Sequence, residues 1–230
     1  MLSPDRQITL KMDRTLEISR RAGCLPKCSA FCVSHLLKRC LDLIGAAALI
    51  VLLFPVFMVT SLLVYFDDGL PMIYRRRVVG MSGEFDAFKF RTMKRDADAL
   101  LAADPVLKAE YERNFKLVND PRVSRTGAFL RRSSLDELPQ LFNVLRGQMS
   151  LVGPRMITAP ELNKYGIHRA LLLSAKPGLT GYWQVMGRQT VDYAERVRMD
   201  VYYLQNWSLK MDMAILLRTP FKVIKKEGAF

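Results

Sequence analysis

Two adjacent carboxylates, Asp136 and Glu137, lie in the stretch Ser133-Ser134-Leu135-Asp136-Glu137-Leu138-Pro139-Gln140. Ser134 with Glu137 three residues on has the spacing of a helix capping box. That arrangement would put Pro139 inside the helix, where its missing N–H is costly, whereas a helix starting at Pro139 leaves both carboxylates at its mouth. There they suit chemistry at phosphorus, one as a nucleophile and the other as ligand to a hard cation that neutralises a diphosphate. Without such screening a carboxylate attacks an anionic phosphate poorly. Phosphate clamps lie nearby in sequence. Arg131 and Arg132 precede the pair, and Val152-Gly153-Pro154-Arg155 is a tight loop ending in a guanidinium, the group best shaped for bidentate contact with phosphate. Lys176-Pro177-Gly178-Leu179-Thr180-Gly181 and Gly187-Arg188 add two glycine-bearing basic loops. Each loop alone is generic; their combination with an acidic pair is much less so.

Short elements must gather these residues. Asp86 to Thr92 (DAFKFRT) alternates as a strand does, and Arg95 to Lys116 is helical in composition with an interruption at Asp104-Pro105. Asn119-Asp120-Pro121 reads as a turn. A short helix is expected from Pro139 to about Arg146, capped by Gly147. Trp207 to Lys226 mixes an apolar face with Lys210, Arg218, Lys222, Lys225 and Lys226, as expected of a helix at a membrane interface, broken near Pro220. Packing of that helix into a core is the competing explanation.

Leu43 to Phe66 holds 24 residues without a charge. At about 1.5 Å per helical residue that length covers a hydrocarbon core of about 30 Å. Pro55 sits near its middle, removing a donor and crowding the Val51 carbonyl, so a kink or a helix-break-helix is expected. Residues 1–40 carry eight basic groups against three acidic, and residues 67–95 carry seven against four. With both flanks basic, the positive-inside rule gives no orientation for a single span. A kinked span and a re-entrant hairpin bent at Pro55 therefore both fit the residues.

The chain has 230 residues, a net charge of +13 and 50% hydrophobic content, enough to bury a core and incompatible with long disorder or collagen-like repeats. That charge attracts polyanions: nucleic acid, anionic lipid headgroups or phosphorylated substrates. Cys24, Cys28, Cys32 and Cys40 cluster at one end, so no disulfide framework staples the rest. Their spacing, with His35 nearby, is a weak zinc signal beside the plainer reading of a reduced cytosolic chain. Residues 1–40 lack an early apolar core followed by a small-residue cleavage site, and no signal peptide is expected.

Lys38-Arg39 with Asp42 before the proline-broken apolar segment, Lys89-Phe90-Arg91-Thr92-Met93, Ser134 to Arg155, Lys176 to Arg188 (KPGLTGYWQVMGR) and Asp200 to Ser208 (DVYYLQNWS) follow one another in order. This series resembles the bacterial sugar transferases, the monotopic polyprenyl-phosphate phosphoglycosyl transferases, from about Leu37 to the C-terminus. The short form is similar to the galactosyl or glucosyl phosphate transferases that begin exopolysaccharide synthesis. Phe54 stands where the family usually has serine, and Met156 where its Gly-Pro-Arg loop usually continues with proline.

The resemblance implies an α+β fold: a re-entrant membrane helix hairpin, interfacial amphipathic helices and a small, mostly helical cytosolic catalytic domain with short strands. Its divisions would be a poorly ordered basic tail over 1–35, a re-entrant helix over 36–70 broken at Pro55, and the catalytic domain over 71–230. It implies transfer of a sugar 1-phosphate from a UDP-sugar to undecaprenyl phosphate, with Asp136 as nucleophile through an aspartyl phosphosugar intermediate and Glu137 as ligand to Mg2+. Lys89, Arg131, Arg155, Gln184, Arg188 and Asp212 would bind substrate and phosphate, although an interfacial helix would also allow Asp212 to turn outward. The expected location is the bacterial inner membrane with the site on its cytoplasmic face. Partners would be membrane lipids but no nucleic acid, with a homodimer as a further expectation. A second reading, a basic membrane-tethered nucleic-acid or lipid-binding adaptor without catalysis, explains the charge and the apolar segment but not two acids among the arginines.

Overall fold

A computed structural model describes residues 27–114, 117, 120–187 and 191–224. Cys24, Arg188, Lys225 and Lys226, and with them the expectations placed on those residues, lie outside this set, as do residues 1–26 of the expected tail. The chain divides into two compact units, Met1–Cys40 and Leu41–Phe230. The described part of the first is the opening of helix α1 (Lys27–Leu52); all later elements belong to the second.

Pro55 explains the next event. Helix α2 (Phe54–Asp68) begins with the proline in its first turn, where no N–H is needed, and Val33–Leu52 and Phe54–Asp68 bend by 64° across the break. Among the described residues no single helix is long and apolar enough to cross a membrane, while this bent pair has the length and composition together. Its inner face is tied down. Asp42 is buried and accepts hydrogen bonds from Ser150 Oγ at 3.0 Å and Leu151 N–H at 2.9 Å, and Val64 packs with Phe90 and Leu130. Its outer face carries Val51, Leu52, Phe54 and Phe66, which are 77, 74, 59 and 80% exposed.

Strands β1 (Ile73–Gly80) and β2 (Gly83–Phe90) pair antiparallel around a two-residue tip, so the alternation read over 86–92 is borne out as the second half of a hairpin. Residues opposite each other share a face. Val78, Phe85 and Ala87 point to the core, and the pair Tyr74↔Lys89 and the residue Arg76 are placed on that same face. The helical tract follows as α3 (Ala97–Ala103) and α4 (Pro105–Asn114), interrupted at Asp104, whose carboxylate accepts from the Val106 and Leu107 N–H groups. Helix α5 (Arg125–Arg132) is capped by Ser124, and a single 3₁₀ turn, Leu135–Glu137, leads into α6 (Gln140–Leu145).

Strand β3 (Ser150–Val152) pairs parallel with β4 (Gly178–Thr180). Between them lie a 3₁₀ segment, Glu161–His168, and α7 (Arg169–Leu173); after them come α8 (Tyr182–Met186), α9 (Tyr193–Gln205) and α10 (Leu209–Ile224). The α+β class is thus borne out as helices with two small two-stranded sheets. The main core joins Ala46 of α1, the hairpin, Leu141 and Val144 of α6, Val152, Met156, Tyr203 and Ile215. Each large apolar side chain buried there is worth about 1.5–3 kcal/mol. Met156, where proline is usual, fills part of this core.

The expected break at Pro220 does not occur: α10 continues through it. Thr219 Oγ1 donates to the Ile215 carbonyl at 2.8 Å and meets Thr180 Oγ1 at 2.9 Å, so the helix is anchored to β4 beside the proline. Tertiary packing here outweighs a local defect of about 3 kcal/mol. One face of α10 buries Asp212 and Ile215, so core packing is borne out for that face, while Leu217 and Phe221 on the other are 67 and 68% exposed.

Candidate active site

Leu135-Asp136-Glu137-Leu138 is apolar, acidic, acidic, apolar. Leu135 and Leu138 pack against the Val64–Phe90–Leu130 cluster and clamp the turn from both sides. Ser134 enters the turn in the left-handed region, with φ of 55°, and makes no side-chain cap, so the capping box is absent. Pro139 caps α6, one residue from its expected place as the first residue of that helix.

Lys89 of β2 reaches this turn. Its Nζ lies 2.7 Å from Glu137 Oε1 and 3.6 Å from Asp136 Oδ2, and Arg155 Nη2 is 3.9 Å from Glu137 Oε1. Arg131, from the last turn of α5, donates from Nε to Thr92 Oγ1 at 2.9 Å and lies within electrostatic reach of Asp136; burial lowers its pKa. Gly127 lets α5 come this close, because a Cβ there would meet the Thr92 carbonyl oxygen at 2.0 Å. Arg155 is positioned by crossing loops: Gly178 N–H donates to the Pro154 carbonyl at 2.8 Å, and a Cβ on Gly178 would lie 2.1 Å from Gly153 N.

The two acids differ in electrostatics. Burial pushes the Asp136 pKa upward, opposed by Lys89 and reinforced by the neighbouring Glu137 charge. Burial also disfavours the Glu137 anion, but Lys89 and Arg155 outweigh it and hold its pKa at about 2. Both carboxyls are desolvated, but cations outweigh burial at Glu137 and favour its anion, whereas burial dominates at Asp136, which is 7% exposed. Among the described residues no group of three or more His, Cys, Asp or Glu gathers. A cation here would take Asp136 and Glu137 as hard oxygen donors and complete its shell with substrate phosphate and water, which is how Mg2+ is commonly held, so the donor set fits Mg2+.

Of the residues singled out from sequence, Asp136, Glu137, Lys89 and Arg155 meet directly, with Arg131 beside them. Gln184 sits next in α8 to Trp183, whose ring Arg155 overlies at 5.6 Å, and donates to the Leu179 carbonyl at 3.3 Å. Asp212 does not turn outward. It is buried and accepts from Tyr203 Oη at 2.7 Å and Trp207 Nε1 at 3.1 Å, while Tyr203 also reaches the Val152 carbonyl at 3.4 Å. Arg76 was seen in sequence only as membrane-flanking charge, yet it lowers the Glu137 pKa and pairs with Glu161 at 3.0 Å. Trp183 and Arg196 were not singled out either; the placement of Arg76 on the face of Lys89, two residues apart in register, was the available signal for the first.

The family profile of the bacterial sugar transferases matches residues 33–226. The chain is 48% identical over 202 residues to the UDP-galactose-lipid carrier transferase of Erwinia amylovora, covering 86% of this chain and 42% of that protein. It is 46% identical over 202 residues to the undecaprenyl-phosphate galactose phosphotransferase of Salmonella typhimurium, with shares of 86% and 42%. With the exopolysaccharide production protein ExoY of Rhizobium meliloti it is 41% identical over 203 residues, 86% of this chain and 90% of that protein. It thus spans less than half the length of the first two relatives and most of the third. The match, which takes in the whole apolar segment, the hairpin and the acidic turn, makes this chain a member of the bacterial sugar transferase family.

Proposed function

We propose that the chain transfers a sugar 1-phosphate from a UDP-sugar to undecaprenyl phosphate, as the initiating step of exopolysaccharide synthesis. The observation that carries this reading is the unequal acidic pair among cations: a desolvated Asp136 beside a Glu137 held charged by Lys89 and Arg155. An adaptor for a polyanion has no use for two carboxylates at the centre of its basic surface. The names of the relatives support the substrate classes.

In the first step an Asp136 carboxylate oxygen attacks the phosphorus that bears the sugar. The bond between the two phosphates breaks, and the nucleoside monophosphate leaves with the electron pair. In the second step a phosphate oxygen of undecaprenyl phosphate attacks the same phosphorus and Asp136 is released as carboxylate, giving undecaprenyl-diphosphate-sugar. Lys89 and Arg131 favour the Asp136 carboxylate against the burial that raises its pKa, and Arg155 lies where it would neutralise the departing phosphate. Glu137, with Asp136, would hold Mg2+, which when bound supplies charge neutralisation on the diphosphate.

The bent helix pair with its exposed apolar outer face supports a re-entrant segment in the bacterial inner membrane, and the two basic flanks support placing the site on the cytoplasmic side. Purified protein in vesicles containing undecaprenyl phosphate should release UMP from UDP-galactose or UDP-glucose and form a lipid-linked sugar. Binding to vesicles or nucleic acid with no UMP release from any UDP-sugar would favour the adaptor.

A further inference from the structure

Trp183 is flanked by two guanidiniums. Arg155 lies 5.6 Å from its ring centre and Arg196, from α9, 4.7 Å. The carboxylates around Arg196 are engaged elsewhere: Glu161 accepts from Arg76 at 3.0 Å and from Thr158 Oγ1 at 2.9 Å, and Asp200 accepts from Tyr165 Oη at 2.8 Å. Burial first, and then the like charge of Arg155, pushes the Arg196 pKa down. Among the described residues, two donors in this group, Arg196 Nε and Trp183 Nε1, are buried without an acceptor, and two acceptors, Gln184 Oε1 and Asp200 Oδ1, without a donor. Buried polar atoms are nearly always paired, and two guanidiniums held near one indole repel unless an anion joins them. Arg155 ties the group to the acidic turn, 3.9 Å from Glu137.

We propose that Arg196 is a further substrate-binding residue, which with Arg155 and Trp183 holds the phosphate of the nucleotide sugar that departs with the nucleoside. The inference rests on the transfer reaction proposed above. Asp136 there meets the phosphorus bearing the sugar, and Arg155 leads away from Lys89 and Asp136 on the Glu137 side, where the next phosphate of the donor would lie. The unpaired donors suit its oxygens. The unpaired acceptors and the indole suit the hydroxyls and ring of the attached nucleoside, which a lone inorganic or lipid phosphate lacks.

The test measures UDP binding by calorimetry, and the kcat/KM of each substrate, for the wild-type chain, Arg196→Gln and Arg196→Lys in nanodiscs. Arg196→Gln should weaken UDP binding about tenfold or more, the scale of one lost charge-assisted hydrogen bond. The donor kcat/KM should fall at least in step, the kcat/KM for undecaprenyl phosphate should not move, and Arg196→Lys should recover part of the loss. A merely structural role would lower both kcat/KM values or folded yield without this split. Unchanged UDP affinity in Arg196→Gln overturns the proposal, and a fall confined to the lipid kcat/KM reassigns the phosphate to the acceptor and overturns it as well. If Arg196→Gln fails to fold by circular dichroism, Arg196→Lys decides: UDP affinity about threefold weaker supports the assignment, and wild-type affinity overturns it. Failure of the transfer reading would show earlier, as a wild-type chain that neither binds UDP nor releases UMP, and it would overturn this proposal too.

Discussion

Lys89 sets the character of both acids, and its loss separates their contributions. Its ammonium is the largest force opposing burial at Asp136 and at Glu137. The Glu137 pKa lies below its unfolded value of about 4.3, so this group contributes stability that is present above that pH and is lost as pH falls toward about 2. Lys89→Met should therefore melt lower at pH 7, by about 3 kcal/mol, the scale of an ion pair broken by removing one partner. Thermal melts from pH 7 down to pH 2 should show the gap closing as Glu137 becomes protonated in both proteins; a gap that widens on acidification would contradict the assignment. Asp136 works with the opposite sign. Its raised pKa means that UMP release should fall on the acid side at a pH above the usual aspartate value of about 3.9, measured as a pH profile of kcat/KM. The acids and their basic neighbours were legible in sequence because each lies within a short loop or turn signal. Arg196 and Trp183 were not, because their meeting with Arg155 depends on the approach of α8, α9 and the loop after β3, and an isolated Arg or Trp carries no spacing to read.

Elements were legible where local chemistry and packing agree. Pro55 bends α1 from α2, Asp104 divides α3 from α4, and Gly147 ends α6 with φ of 80°. Pro220 was misleading because its neighbour Thr219 and the buried Ile215 fasten α10 to the rest of the domain in the turn just before the defect. The parallel pairing of β3 with β4 was hidden, since three-residue strands offer no alternation to count. That pairing carries a sharp expectation: Gly178→Ala places a methyl group against Gly153 backbone, which cannot move as a flexible side chain would. It should cost about 3 kcal/mol or more in denaturant unfolding and displace Arg155, lowering UMP release even where folded protein persists. A variant with unchanged stability and rate would show that the two loops do not cross so closely. Pro55→Leu removes a defect that costs a continuous helix about 3 kcal/mol and should straighten the bend, leaving some molecules inserted as true spans.

For the whole molecule, a charge of +13 and a bent apolar pair with an exposed outer face support the proposed seat at an anionic membrane surface. Cysteines placed singly at positions 20 and 82 of a cysteine-free variant should react with an impermeant reagent from the same side; labelling from opposite sides would mean that the pair crosses the bilayer. The overall class and the acidic centre were legible before any coordinates because family motifs carry them, while the 64° bend and the opposite pKa shifts of the two buried acids are properties of the folded chain alone. The central claim is that Asp136 itself takes the sugar phosphate before the lipid does. It is tested by incubating purified protein with radiolabelled UDP-sugar and no lipid, then measuring UMP released and label bound to the peptide carrying Asp136. The account expects close to one UMP per active site and a labile hexose-phosphate adduct on that peptide, both lost in Asp136→Asn. UMP release that strictly requires undecaprenyl phosphate, with substantial activity retained by Asp136→Asn, would contradict it and point to direct attack by the lipid phosphate.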